Sequence, residues 1–154
     1  MASITLTGGD GLDAALNDLA FKLGKGSREV RVGFFENAKY PDGTSVATVA
    51  AIQNFGAPSR GIPPRPFFSN MVDAQSPGWP DAFVAILKAA DFDIEIALAR
   101  MGEHIAGQLR QSIRDTNSPA LAPATIARKG FAKPLIDTGV MFQSVGVEVS
   151  GGEE

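Results

Sequence analysis

One stretch constrains the fold more than any other. From about residue 92 to 115, Ile94, Leu98, Met101, Ile105, Leu109 and Ile113 recur at steps of three or four residues, which lays them along one face of a helix. Arg100, Glu103, Arg110 and Arg114 fall largely on the opposite face. A helix with one long apolar stripe must be covered by other elements, so it is expected to be the spine of the domain. The chain has 154 residues, the size of one domain, and such a domain buries roughly 68–70% of its unfolded surface without help from a metal or disulfide. With 44% hydrophobic and 20% charged residues it is too apolar to be disordered throughout. The domain is expected over 1–150, with 151–154 a frayed end.

Around that spine the other elements follow from local signals. Residues 3–6 alternate polar and apolar, as a short strand does. Leu12, Leu16, Leu19 and Leu23 form a helical stripe, with Asp10 as N-cap and Gly24 after the last apolar position. Arg28 to Glu36 reads as a strand, with Val30, Val32 and Phe34 on one side; Phe35 breaks the alternation. Pro41-Asp42-Gly43 marks a turn. A helix over 46–55, with Val49, Ile52 and Phe55 in its stripe, stops at Gly56. Four prolines between 58 and 66 force extended backbone, and Pro66 opens a helix carrying Phe67, Phe68, Met71 and Val72. Another helical region starts near Pro80. A short helix is expected over 123–128, a turn-like element over 134–144, and a period-two strand over 145–149. The order implies an α+β domain: a small, mostly antiparallel sheet packed against helices, one long helix at about 92–115, and an extended proline-rich loop at about 56–66.

The composition excludes much chemistry. There is no cysteine, which removes disulfides, thiolate catalysis and Cys-based zinc sites. His104 is the only histidine and is expected to be structural or on the surface, since a catalytic base needs an orienting partner and a nucleophile. Gly24-Lys25-Gly26-Ser27 follows a helix instead of a strand and lacks the phosphate-loop spacing. Asp91, Asp93 and Glu95 suit a helix start. No cofactor or metal site is expected. The net charge of −3 argues against tight nucleic-acid binding as the main role. No stretch reaches the ~18–20 apolar residues of a membrane helix, and no basic segment precedes an apolar run at the N-terminus, so synthesis in the cytosol without a signal peptide is expected.

Two stretches bracketed by proline and glycine remain. Phe67 and Phe68 either anchor the proline loop in the core or, with Arg65, meet a neighbouring subunit, because a stiff segment presents such side chains at low entropic cost. Arg128, Lys129 and Lys133 form a basic cluster, which reads either as a solvated helix end or as a contact for DNA phosphates or an acidic neighbour. Asp137 and Thr138 are suited to capping the next backbone segment.

Ala51-Ile52-Gln53-Asn54-Phe55-Gly56-Ala57-Pro58 followed by Ile62-Pro63-Pro64-Arg65-Pro66-Phe67-Phe68, and then Ala122-Pro123-Ala124-Thr125-Ile126-Ala127-Arg128-Lys129-Gly130 followed by Lys133-Pro134-Leu135-Ile136-Asp137-Thr138-Gly139, resemble in order and spacing two signatures of the neck and tail-completion proteins of lambda-like siphophages, a family related to Mu-like virion-morphogenesis proteins. The resemblance covers about residues 28–149. It departs at Asn54, where the family often has Glu, and near Met141-Phe142, where Leu-Arg is common. It implies a non-enzymatic virion protein, assembled in the bacterial cytoplasm, that forms a ring of commonly six copies at the head–tail junction. Its partners would be further copies of itself, a head-side connector or stopper, and a tail terminator or tail-tube protein, with genomic DNA passing through the lumen and no membrane. Phe55, Ile62, Pro64, Arg65, Phe67, Phe68, Arg128, Lys129 and Lys133 are the expected assembly interface, and Asp137, Thr138 and Gly139 a structural turn. A tail terminator or other minor tail protein, and a small nucleic-acid-binding module, are the alternatives.

Overall fold

The computed structural model of the chain describes residues 9–23, 27–116 and 139–151, with side chains from Ala14 onward. Helix α1 (Gly9–Leu23) leads to strand β1 (Arg28–Phe34), then to helices α2 (Val46–Phe55), α3 (Phe67–Gln75), α4 (Trp79–Ala89) and α5 (Ile94–Asp115). The short helix α6 (Val140–Gln143) and strand β2 (Val145–Gly151) follow. β1 and β2 pair antiparallel, from Arg28 opposite Gly151 to Phe34 opposite Val145. The fold is α+β: a two-stranded antiparallel sheet packed against helices, with α5 its 22-residue spine.

α5 earns that position through its stripe. Leu98, Met101, Leu109 and Ile113 are buried, joined by Ala97, Gly102 and Ala106. The sheet lies on α5, and α3 and α4 pack on it as well. Gly102 permits the close approach of the sheet, since a Cβ there would collide with the side chains of Val147 and Val30. Phe67, at the start of α3, is fully buried and meets Phe34 of β1 edge to face at 6.2 Å. Val46, Met71, Leu109, Ile113, Met141 and Val145 complete this core.

Local chemistry sets the boundaries. Asp93 caps α5, its carboxylate accepting from the Ile96 amide at 3.0 Å. The helix therefore begins at Ile94 rather than at 92, because Asp91 and Phe92 hold left-handed backbone (φ 51° and 61°) in the corner after α4. Ser45 caps α2 through the Thr48 amide at 3.3 Å. The first strand ends at Phe34 instead of Glu36, because the chain turns as the Ala38 amide donates to the Phe35 carbonyl. α1 begins at Gly9, which places Asp10 in its first turn instead of at the cap. The expected strand at 3–6 and helix at 123–128 lie outside the described residues.

Candidate functional site

The first bracketed stretch folds into a clasp. Between 57 and 62 the chain makes a tight loop, with Ala57 and Ile62 exchanging two backbone hydrogen bonds of 2.9 and 3.1 Å. Pro58–Arg60 form a 3-10 turn, so only the part after Ile62 is extended, because proline also suits the first position of a helical turn. Gly56 lies beneath the returning strand of this loop. Its φ is 77°, and a Cβ would come within 2.8 Å of the Pro64 nitrogen and 2.9 Å of the Ile62 oxygen. Glycine is required there both by conformation and by space.

Two successive residues of α2 then hold the proline segment in place. The Gln53 carbonyl accepts from the Arg65 amide at 2.6 Å, and the Gln53 side-chain oxygen accepts from the Arg65 guanidinium at 3.1 Å. Asn54, also buried, caps α3 from outside it. Its Oδ1 accepts from the Phe68 and Ser69 amides at 3.0 and 3.1 Å, and its Nδ2 donates to the Ser69 hydroxyl at 2.8 Å. These amides belong to the first turn of α3, whose N–H groups have no partner within the helix.

This geometry sorts the expected interface residues. Arg65 is only 7% exposed and Phe67 fully buried. Arg65 is thereby corrected from a surface contact to part of the scaffold, and of the two readings of Phe67 the core one holds: the clasp points the guanidinium at Gln53 and the ring at Phe34. Burial holds the Arg65 guanidinium below its ordinary pKa. Phe68 and Ile62 are half-buried and Pro64 is exposed. Phe55 is 74% exposed, which also corrects its expected place in the apolar stripe of α2. The inward face of α2 is Val46, Ala50 and Asn54. With Asn54 turned in, its neighbour Phe55 is carried outward by the ~100° step of the helix.

Beside Phe55 lies an apolar groove of about 380 Å³ between β1 and α2. It is lined by Val32, Phe34 and Phe35, by Ala47, Ala50, Ala51 and Asn54 of α2, and by Phe67 and Phe68 of α3. Three alanines leave α2 low enough to open the space. The inward turn of Asn54 and the groove escaped the sequence reading; the partners of Asn54 stand 14 and 15 residues away, and no local pattern announces them.

Of the second stretch, Gly139 takes left-handed backbone (φ 75°) at the start of α6, consistent with a turn. Met141 enters the core, Phe142 stacks under the Arg114 guanidinium at 5.2 Å, and Arg110 donates to the Val145 carbonyl at 2.9 Å. Arg128, Lys129, Lys133, Asp137 and Thr138 lie outside the described residues.

His104 is exposed on α5 with its Nε2 3.2 Å from the Gln108 amide nitrogen. Gln108 in turn accepts from the Trp79 indole at 2.8 Å. Among the described residues no group of three or more His, Asp or Glu side chains is placed to hold a metal ion, and no helix is long and apolar enough to cross a membrane. Comparison with protein-family models, curated proteins and solved structures finds no match to the chain.

Proposed function

We propose that this chain is a structural virion protein of the head–tail junction of a tailed bacteriophage. It assembles as a ring that completes the tail and lets a filled head join it, with DNA passing through the lumen and no catalytic step. The order and spacing of the two bracketed stretches support this reading. The observation that carries it is the division of labour within the first stretch. Its polar groups, Gln53, Asn54 and Arg65, face inward and hold the scaffold. What it turns outward includes a large apolar side chain, Phe55, beside an apolar groove, together with Arg60. Such a surface suits contact with another protein better than attack on a substrate.

The test is genetic and visual. Deleting the gene from the phage that encodes the protein is expected to leave filled heads and separate tails in electron micrographs of lysates, with joining restored by the protein supplied in trans. Joined, infectious particles without the protein would overturn the proposal.

A further inference from the structure

The one histidine and the one tryptophan of the chain are joined through a single side chain. The Gln108 amide of α5 meets three partners. Its oxygen accepts from the Trp79 indole at the start of α4, at 2.8 Å. Its nitrogen lies 3.2 Å from the side-chain oxygen of Gln75, the last residue of α3, and 3.2 Å from the His104 Nε2. The function proposed above uses none of these groups.

The indole fixes every other role in this network. An indole N–H only donates, so Gln108 must turn its oxygen to Trp79. Its two N–H groups then face Gln75 and His104. Gln75 answers with its oxygen, and His104 must answer with a lone pair. The ring is therefore neutral, with its proton on Nδ1. Protonation adds an N–H at Nε2, and a donor then faces a donor. A hydrogen bond from a cationic imidazole is of the stronger, charge-assisted kind, so the protonated ring favours the opposite orientation of the Gln108 amide, with its oxygen toward the ring. That orientation sets the amide nitrogen against the Trp79 N–H, and Trp79 loses its acceptor.

The surroundings leave His104 in control. On α5, Arg100 stands one turn before the ring, Glu103 is paired with Arg110 at 3.7 Å, and Asp115 accepts from Gln111 at 2.6 Å. The charged groups of α4 are Asp81 and Lys88, and α3 carries Asp73. Among the described residues none of these is hydrogen-bonded to the ring or to Gln108. The sheet meets α5 at Gly102, about 160° around the helix from His104, so the charges of β1 and β2 lie on the far side. α4 has no fully buried residue, whereas α3 is anchored in the core by Phe67 and Met71. The start of α4 is thus the part that depends on the tie.

We infer that His104, Gln108 and Trp79 form a proton-sensitive latch between α5 and the start of α4, closed while the imidazole is neutral and released when it takes up a proton. Histidine is the side chain whose charge changes between about pH 5 and 8, so the latch responds in that range. The inference is independent of the assembly reading above.

The full-length protein labelled with nitrogen-15 only in histidine and tryptophan presents one imidazole and one indole to nuclear magnetic resonance. At about pH 8 the imidazole is expected to be protonated on Nδ1, and on lowering the pH to about 5 the indole N–H resonance is expected to shift with the same midpoint as the imidazole. Gln108→Ala should leave the imidazole titrating and the indole resonance still. His104→Gln, at an exposed position, keeps an acceptor that does not titrate and should also leave the indole resonance unmoved. A neutral ring protonated on Nε2, or an indole that ignores the titration of the imidazole, would overturn the proposal. So would an indole that keeps its pH response in either variant.

Discussion

α1 and α5 carry the same signal and meet opposite fates. Each has apolar residues at steps of three and four. Along α5 that stripe is buried, with Leu109 and Ile113 at zero exposure; along α1, Leu16 remains 52% exposed. The difference is the cover, not the helix. α5 lies under both strands and against α3 and α4, whereas α1 precedes the sheet and touches the α4–α5 corner through a surface ion pair. Periodicity tells that a face is apolar; it does not tell whether that face closes the chain's own core or awaits another molecule.

Truncation should break the comparison most sharply. Ile113→Ala is expected to cost about 2–5 kcal/mol, because it removes methylenes from a filled core. Leu16→Ala should cost far less, in chemical or thermal unfolding of the same preparation. Equal losses would mean that α1 belongs to the core after all.

The clasp comes next in size. Asn54→Leu strands the Phe68 and Ser69 amides and the Ser69 hydroxyl and is expected to cost about 1–3 kcal/mol. Asn54→Asp keeps the acceptor at a helix N-terminus and should retain most of the stability. Melting curves of the two variants decide whether the residue acts through its oxygen or merely fills space.

Phe21→Ala should leave folding stability within about 0.5 kcal/mol of the parent, in contrast to any core phenylalanine. The smallest effect is a pH dependence in the 37–45 loop. The Thr44 amide holds the Asp42 carboxyl below its ordinary pKa, so the folded state binds this proton less readily than the unfolded one. The contribution is therefore present above the ordinary carboxylate range and is lost as pH falls through the folded value. The melting-temperature difference between parent and Asp42→Ala is expected to be small at neutral pH and to vanish in acid.

The sequence made the scaffold largely readable. The α2 limits, the stop at Gly56, the opening of α3 after Pro66 and the alternation of Val30, Val32 and Phe34 all follow from local rules, because their causes lie within a few residues. The pairing of β1 with β2 joins Arg28 to Gly151, and only tertiary structure brings such distant segments together. The site was harder for the same reason. Arg65 reads as outward-facing because a stiff proline segment presents its side chains, and the Gln53 oxygens that draw it inward sit 12 residues earlier. Phe55 fits both the helical stripe and an interface, and the long-range bonds of Asn54 rotate the buried stripe by one position and leave Phe55 outside.

The central claim is that the chain folds on its own core and assembles with copies of itself into a closed ring. Native mass spectrometry of the full-length protein tests it most directly. The account predicts one closed assembly with a mass that is a whole multiple of the 16.1 kDa chain. A protein that stays monomeric would contradict it.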